Sequence, residues 1–109
     1  MPYNEVLAQR IRAELGSFSG LVEKKMFGGI GFLVNGNMAC GVHGENLIVR
    51  VGLANHEKAL AQAHARPFDL TGKPMSGWVE VAPAGYAAEH DLKDWVRQGL
   101  NYALTLPPK

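Results

Sequence analysis

The sequence has a single cysteine among its 109 residues, no long apolar run and no excess of one charge. One cysteine, Cys40, cannot form an internal disulfide, which agrees with a reducing compartment. No stretch approaches the roughly 18 apolar residues of a membrane-spanning helix, so we expect no membrane partner. The formal charge is +1, with 11 Lys and Arg against 10 Asp and Glu, whereas a dedicated non-specific nucleic-acid binder carries a larger basic excess.

Length and composition are those of one soluble globular domain that covers residues 1–109. With 47% hydrophobic and 19% charged residues, such a chain can fold without disulfides or a structural metal. Its first residues, MPYNEVLAQRIRAEL, lack the basic, apolar and small-residue succession of a secretory signal, and two acidic residues argue against a transit peptide. We therefore expect a cytoplasmic protein.

The stretch 21–52 alternates apolar and polar residues between tight-turn signals. Such alternation predicts half-buried antiparallel strands, because successive side chains of a strand point to opposite faces. The pair Asn35-Gly36 is typical of a type I′ hairpin turn, and Gly44-Glu45 marks the next turn. The pattern predicts a meander of four strands, the first three at about 21–27, 30–34 and 37–42.

The alternation also predicts a sheet that is buried chiefly on one side. Three sets of residues each share a face of their strand: Ile30, Phe32 and Val34; Met38, Cys40 and Val42; and Leu47, Val49 and Val51. The opposite side of the fourth strand carries Ile48 and Arg50.

Three helices are predicted around the meander. Asn4 can cap a helix that ends at about Gly16, Asn55 a second that runs to about Ala65, and Asp91 a third that stops before Pro107-Pro108. Segment 67–77, with two prolines and two glycines, is interpreted as an ordered loop with at most a short strand, and 78–81 as a strand. The order α-β-β-β-β-α-β-α predicts an α+β fold of two layers, an antiparallel meander sheet backed by helices.

No pattern assembles a catalytic or metal site. Cys40 and His43 lie three residues apart on one predicted strand, which sends their side chains to opposite faces. His56 and His64 are too far apart on a helix to share a metal. The glycines at 28, 29 and 31 lead from strand to strand, so they lack the strand-to-helix context of a dinucleotide site. The sequence predicts no cofactor and no enzymatic activity.

Several cations are candidates for recognition, and each has a structural alternative. Adjacent Lys24 and Lys25 fit an edge strand that discourages further pairing. Arg50 is expected to form an ion pair with Glu80 across the sheet, or else to present its guanidinium to an anion. The loop that Trp78 closes is bracketed by Arg66, Asp69 and Lys73. Trp78 itself fits the core as well as it fits a recognition surface.

Longer stretches resemble a known family. The runs KKMFGGIGFLVNGNMACGV (24–42), LIVRVG (47–52), ARPFDLTGKPMSGWVEV (65–81) and LKDWVRQGLNYALTLPPK (92–109) resemble the TfoX N-terminal domain family, across nearly the whole chain. The resemblance implies a compact α+β domain, similar in layout to secretion-chaperone-like proteins. The family is named for a bacterial regulator of natural competence that acts with the cyclic-AMP receptor protein. The resemblance implies no catalytic or ligand-binding residues.

In that regulator a second domain follows the one matched here, so we do not expect its regulatory role to transfer whole. The favoured hypothesis is a non-enzymatic adaptor that contacts a protein partner, with the transcription machinery as the partner class. The predicted interaction surface contains Lys24, Lys25, Phe27, Arg50, Arg66, Lys73, Met75 and Trp78. The alternatives are nucleic-acid binding through the cations, which the near-neutral charge disfavours, and small-molecule binding beside residues 66–78. A homodimer formed through a sheet edge is compatible with each.

Overall fold

The computed structural model describes residues 3–16, 20–26, 28–69 and 74–108. Its elements are, in chain order, α1 (Glu5–Leu15), β1 (Leu21–Met26), β2 (Gly29–Val34), β3 (Asn37–His43), β4 (Asn46–Arg50), α2 (His56–Leu60), β5 (Ala65–Asp69), β6 (Pro74–Val81), α3 (Pro83–Tyr86) and α4 (Glu89–Leu104). The strands form one antiparallel sheet in the order β1-β2-β3-β4-β6-β5. The predicted α+β class and element order are confirmed, with β5 and α3 as additions.

Helix α1 begins and ends where its sequence predicts. The Asn4 side-chain Oδ1 accepts a hydrogen bond from the Leu7 N–H at 3.0 Å, which satisfies a backbone donor that the first turn would otherwise leave free. Gly16 ends the helix with φ at 63°, a left-handed conformation that favours glycine. The asparagine cap and the glycine stop are therefore confirmed.

The β2–β3 hairpin confirms its predicted turn but contains an irregularity. Asn35 and Gly36 have φ values of 53° and 85°, as a type I′ turn requires. Cys40 pairs with Phe32 and Met38 with Leu33, so Ala39 is an extra residue that forms a β-bulge. The prediction that Met38 shares a face with Cys40 is wrong, because the bulge changes the alternation between them.

The chain between β4 and β6 differs most from the prediction. Helix α2 ends at Leu60 rather than at about Ala65, and Asn55 donates to the Val51 carbonyl at 3.3 Å instead of capping that helix. Residues 65–69 form edge strand β5, and β6 begins at 74, so the loop predicted for 67–77 is wrong outside 70–73, which lie beyond the described residues. An edge strand tolerates Pro67, because one side of its backbone needs no partner.

Helix α4 confirms the predicted terminal helix, although it begins at Glu89 and not after a cap at Asp91. Its first residue follows Ala88, whose side chain makes no capping hydrogen bond. Gly99 lets the helix approach β3 closely, since a Cβ there would lie 2.2 Å from the Ala39 carbonyl oxygen. Within the described ranges, no helix is long and apolar enough to cross a membrane.

The main core lies between the helices and one face of the sheet. The strands, with Val51 directly after β4, contribute Ile30, Phe32, Cys40, Val42, Leu47, Val49, Val79 and Val81. The helices contribute Leu7, Ala8, Ile11, Leu15, Ala59, Tyr86, Leu92, Trp95 and Val96. We call this side of the sheet the helix face and the other side the outer face.

Burial on the outer face is greater than the sequence predicts. Ile48 is 2% exposed and Phe68 is 7% exposed, although both lie on the side of the sheet opposite the helices. The Phe68 ring is close to both His43 of β3 and Trp78 of β6. Since β4 lies between β3 and β6, the Phe68 ring lies on the outer face between residues of the two strands that flank β4. The expectation of a sheet buried chiefly on one side is confirmed by the helix-face core, with Ile48 and Phe68 as buried exceptions on the outer face.

Candidate interaction site

Aromatic rings form a row across the outer face. The centroids of His43 and Phe68 are 6.0 Å apart in an edge-to-face arrangement, and those of Phe68 and Trp78 are 6.4 Å apart. These separations lie in the range in which aromatic pairs attract. Trp78 is half-buried on this face and is not a member of the helix-face core. The alternative of Trp78 as a core residue beneath the helices is therefore wrong.

Arg50 extends the aromatic row toward α4. Its guanidinium carbon lies 5.3 Å from the centroid of Trp78 and 5.4 Å from that of Tyr102, within reach of cation–π attraction to both. The predicted ion pair between Arg50 and Glu80 is wrong, because the Glu80 carboxylate binds Arg66 and Asn46 while Arg50 lies over Trp78 and Tyr102. Arg50 is half-buried, so part of the residue remains open to solvent.

Glu80 binds other partners. Its carboxylate accepts from Arg66 Nε at 3.0 Å and from Asn46 Nδ2 at 2.8 Å. Glu80 is only 8% exposed, so these bonds compensate for the desolvation of its charge. Arg66 is exposed but engaged in this pair, which makes its role structural to a large degree.

The backbone beside Arg50 is held at a corner between β4 and β6. The Gly77 carbonyl accepts from the N–H groups of Val51 at 2.8 Å and Gly52 at 3.1 Å. Gly77 N–H donates to His56 Nδ1 at 3.0 Å. Leu53, the first residue of a short 3₁₀ turn, follows this corner and is 73% exposed. We call the group Arg50, Leu53, Trp78 and Tyr102 the Arg50 corner.

Other residues of the predicted surface lie elsewhere. Lys24 and Lys25 are exposed on edge strand β1, opposite Gly31 and Ile30. Because β1 is three strands from β4, they are about 14 Å or more from the Arg50 corner. Met75 is half-buried in the part of β6 where pairing with β5 is irregular. Phe27 and Lys73 lie outside the described residues.

In the described part of the chain, the geometry favours neither a nucleophilic cysteine nor a metal site. Cys40 is completely buried, and burial raises the pKa of its thiol to about 12, which keeps it protonated at neutral pH. Among residues 3–16, 20–26, 28–69 and 74–108, no three His, Cys, Asp or Glu side chains could together hold a metal ion. An open pocket is lined by Asn55, Lys58, Ala59, Gln62 and Gln98, none of which belongs to the 66–78 segment.

Sequence reasoning identified Arg50 and Trp78 but missed Phe68 of the outer face and two members of the Arg50 corner, Tyr102 and Leu53. Tyr102 lies on a predicted helix, and its contact with the sheet depends on how α4 docks. Phe68 was hidden in the proline- and glycine-rich segment, where alternation is broken. Leu53 follows the glycine that ends the predicted fourth strand, and an apolar residue just after such a stop is the signal that could have identified it.

Comparison with known proteins identifies the family. The sequence profile of the TfoX N-terminal domain matches residues 13–103, which include every described residue of the sheet and most of α4. Among curated proteins and solved structures, none matches the chain. The likeness to secretion-chaperone-like proteins therefore stays a prediction. The match over most of the chain shows that it belongs to the TfoX N-terminal domain family.

Proposed function

We propose that this domain is a non-enzymatic adaptor that docks a protein of the transcription machinery on its outer face, centred on the Arg50 corner. The observation that carries the proposal is the composition of that corner. Arg, Trp and Tyr are the residue types most enriched at binding hot spots, and here they meet at Arg50, three residues before a leucine that is 73% exposed.

Rigidity of the corner also supports docking. Paired strands and the hydrogen bonds to Gly77 fix the backbone of Arg50, Gly52 and Trp78. A surface that is ordered before binding loses less conformational entropy when its partner arrives. The family's link to competence regulation supports transcription as the setting.

Nucleic-acid binding is less well supported by the described residues. Arg66 is engaged by Glu80, and the two lysines of β1 are separated from Arg50 by the width of β2 and β3. These cations therefore do not form a continuous strip that could follow a phosphate backbone.

The test is affinity capture of the tagged protein from cells of its own host, with and without nuclease, read by mass spectrometry. Leu53→Ser removes the exposed apolar side chain of the corner. Val6→Ser is the matched control, because Val6 is 68% exposed on α1. We expect one protein to survive nuclease with wild type and Val6→Ser and to be depleted with Leu53→Ser. Capture that nuclease abolishes, or that both variants retain equally, would contradict the proposal.

A further inference from the structure

We propose that Arg50 recognises a carboxylate of the protein partner, an Asp or Glu side chain that is adjacent to an apolar residue which packs on Leu53. The inference rests on the proposed function and specifies the chemistry of the partner. It starts from how the arginines of this domain are used.

Three other arginines donate hydrogen bonds to groups within the domain. Arg10 donates to the carbonyl groups of Tyr86 and Ala87, Arg12 to Glu5 and Glu23, and Arg66 to Glu80. The Arg50 side chain makes no hydrogen bond or ion pair with any residue in the described ranges, although the residue is half-buried. Its contacts there are with the rings of Trp78 and Tyr102.

This arrangement suits recognition of a planar anion. A guanidinium that lies over aromatic rings keeps its N–H groups available at the edge of its plane, where a carboxylate can accept two of them. The two rings also restrict the side chain before binding, so less rotamer entropy is lost. An isolated surface arginine lacks this advantage.

The surroundings favour a carboxylate of a protein over a nucleic-acid phosphate. The nearest buried carboxylate on this face, Glu80, is already satisfied by Arg66 and Asn46, so it does not compete for Arg50. Leu53 supplies an apolar contact that a polyanionic backbone would not use. An arginine and an exposed leucine three residues apart in the chain match an acidic residue and a nearby apolar residue of the partner.

The experiment uses random 12-residue peptides displayed on phage and selected on the full chain. Enriched peptides are synthesised with each Asp or Glu and with Asn or Gln in its place. Their affinities are measured for wild type, Arg50→Met, Arg50→Lys and Arg97→Met. Arg97 is an exposed α4 residue, so its variant removes the same charge elsewhere. The NMR signals of the two indole N–H groups give a second readout, because Trp78 lies at the Arg50 corner while Trp95 is 3% exposed in the core.

We expect enriched peptides to place Asp or Glu within about two positions of Leu, Phe or Trp. Replacing that carboxylate by its amide and replacing Arg50 by Met should each weaken binding about tenfold or more, without adding to each other. Arg50→Lys should recover part of the affinity, and Arg97→Met should change it less than about twofold. The chemical shift of the Trp78 indole N–H should change on binding, and that of Trp95 should not.

Three results would overturn the inference: no enrichment, enrichment of peptides without a carboxylate, or acidic peptides whose affinity does not depend on Arg50. The inference would also be overturned if a single-stranded 12-nucleotide DNA bound more tightly than the peptides in an Arg50-dependent manner, because the site would then recognise phosphate. If neutral peptides bind and lose affinity with Leu53→Ser, the proposed docking function stands and only the carboxylate is wrong. If no peptide binds and the host capture is empty, both fail.

Discussion

The guanidinium of Arg50 lies over the ring of Trp78, its direct partner across the β4–β6 pair, with 5.3 Å between the guanidinium carbon and the ring centroid. Cross-strand pairs of this kind contribute roughly 0.2–1 kcal/mol at partly exposed positions. So small a contribution makes the pair a poor explanation of folding stability and leaves it free to serve recognition.

Replacing Arg50 by Met should therefore separate stability from binding. We expect Arg50→Met to lower the free energy of unfolding by less than about 1 kcal/mol, because it removes only a partly exposed cation–π contact. The same change should abolish most partner capture. Urea unfolding gives the first quantity and capture the second, with Arg97→Met as the charge-matched control. A loss of about 3 kcal/mol or more would show that Arg50 is structural.

Gly52 allows Tyr102 to approach the sheet beside Arg50. Its φ and ψ are 86° and 160°, a region that only glycine adopts readily, and a Cβ there would lie 2.4 Å from Tyr102 Cε1. We expect Gly52→Ala to cost about 3 kcal/mol of unfolding free energy or more, since strain and overpacking add. Gly44→Ala is the control: φ is 59° but the space is open, so its cost should be about 1–2 kcal/mol. Equal costs in urea unfolding would refute the contact between Gly52 and Tyr102.

Gly99 gives a prediction whose sign is decided by packing. Helix propensity alone would make Gly99→Ala stabilising by about 1 kcal/mol. The added methyl group would meet the Ala39 carbonyl at the β3 bulge, which is backbone and cannot rotate away. We expect a net loss of about 2 kcal/mol in thermal or urea unfolding. Asn101→Ala, at an exposed position of the same helix, should instead raise the free energy of unfolding by a few tenths of a kcal/mol. If Gly99→Ala were stabilising, the helix would have to lie further from the sheet than the structure shows.

Cys40 should not react with thiol reagents while the domain is folded. Because burial raises the pKa of its thiol from 9.0 to about 12, a thiol reagent at pH 8 should react only after unfolding. The timecourse with an aromatic disulfide reagent, in buffer and in concentrated urea, measures this directly. Rapid labelling in buffer would show that β3 is open to solvent.

The same shift has a consequence at alkaline pH. Well below pH 9 the thiol is neutral in both folded and unfolded chains, so it contributes no pH dependence there. As pH rises from 9 toward 12, the unfolded chain loses the proton and the folded chain retains it, so stability falls. We expect the loss of unfolding free energy between pH 8 and pH 10.5 to be smaller in Cys40→Ala than in wild type. Parallel profiles would show that Cys40 does not titrate differently on folding.

Local signals in the sequence predicted the elements that depend on few neighbours. The Asn4 cap, the Gly16 stop and the Asn35-Gly36 turn each follow from the backbone preferences of one or two residues. Edge strand β5 was missed because Arg66 and Pro67 are exposed and give no alternating pattern. The Ala39 bulge was missed because an inserted residue leaves the composition of a strand unchanged.

The candidate site depended on register, which local patterns do not encode. In the observed register Trp78 faces Arg50 directly, and Glu80, two residues further along β6, is only a diagonal neighbour of Arg50. The strands are separated along the chain by α2 and β5, so no turn fixes their alignment. Tyr102 joins Arg50 through the docking of α4, a tertiary contact that no spacing in the sequence reveals.

Site-specific photocrosslinking in living host cells determines whether the Arg50 corner contacts a protein partner. A photoreactive phenylalanine analogue at Leu53 reports on the Arg50 corner. The same analogue at Val6 reports on an equally exposed apolar position of α1, which begins beside Gly44 at the other end of β4. The account predicts one protein crosslinked from position 53 and absent from position 6. Crosslinks from position 6 alone, from both positions equally, or only to nucleic acid would contradict a protein-docking surface at the Arg50 corner.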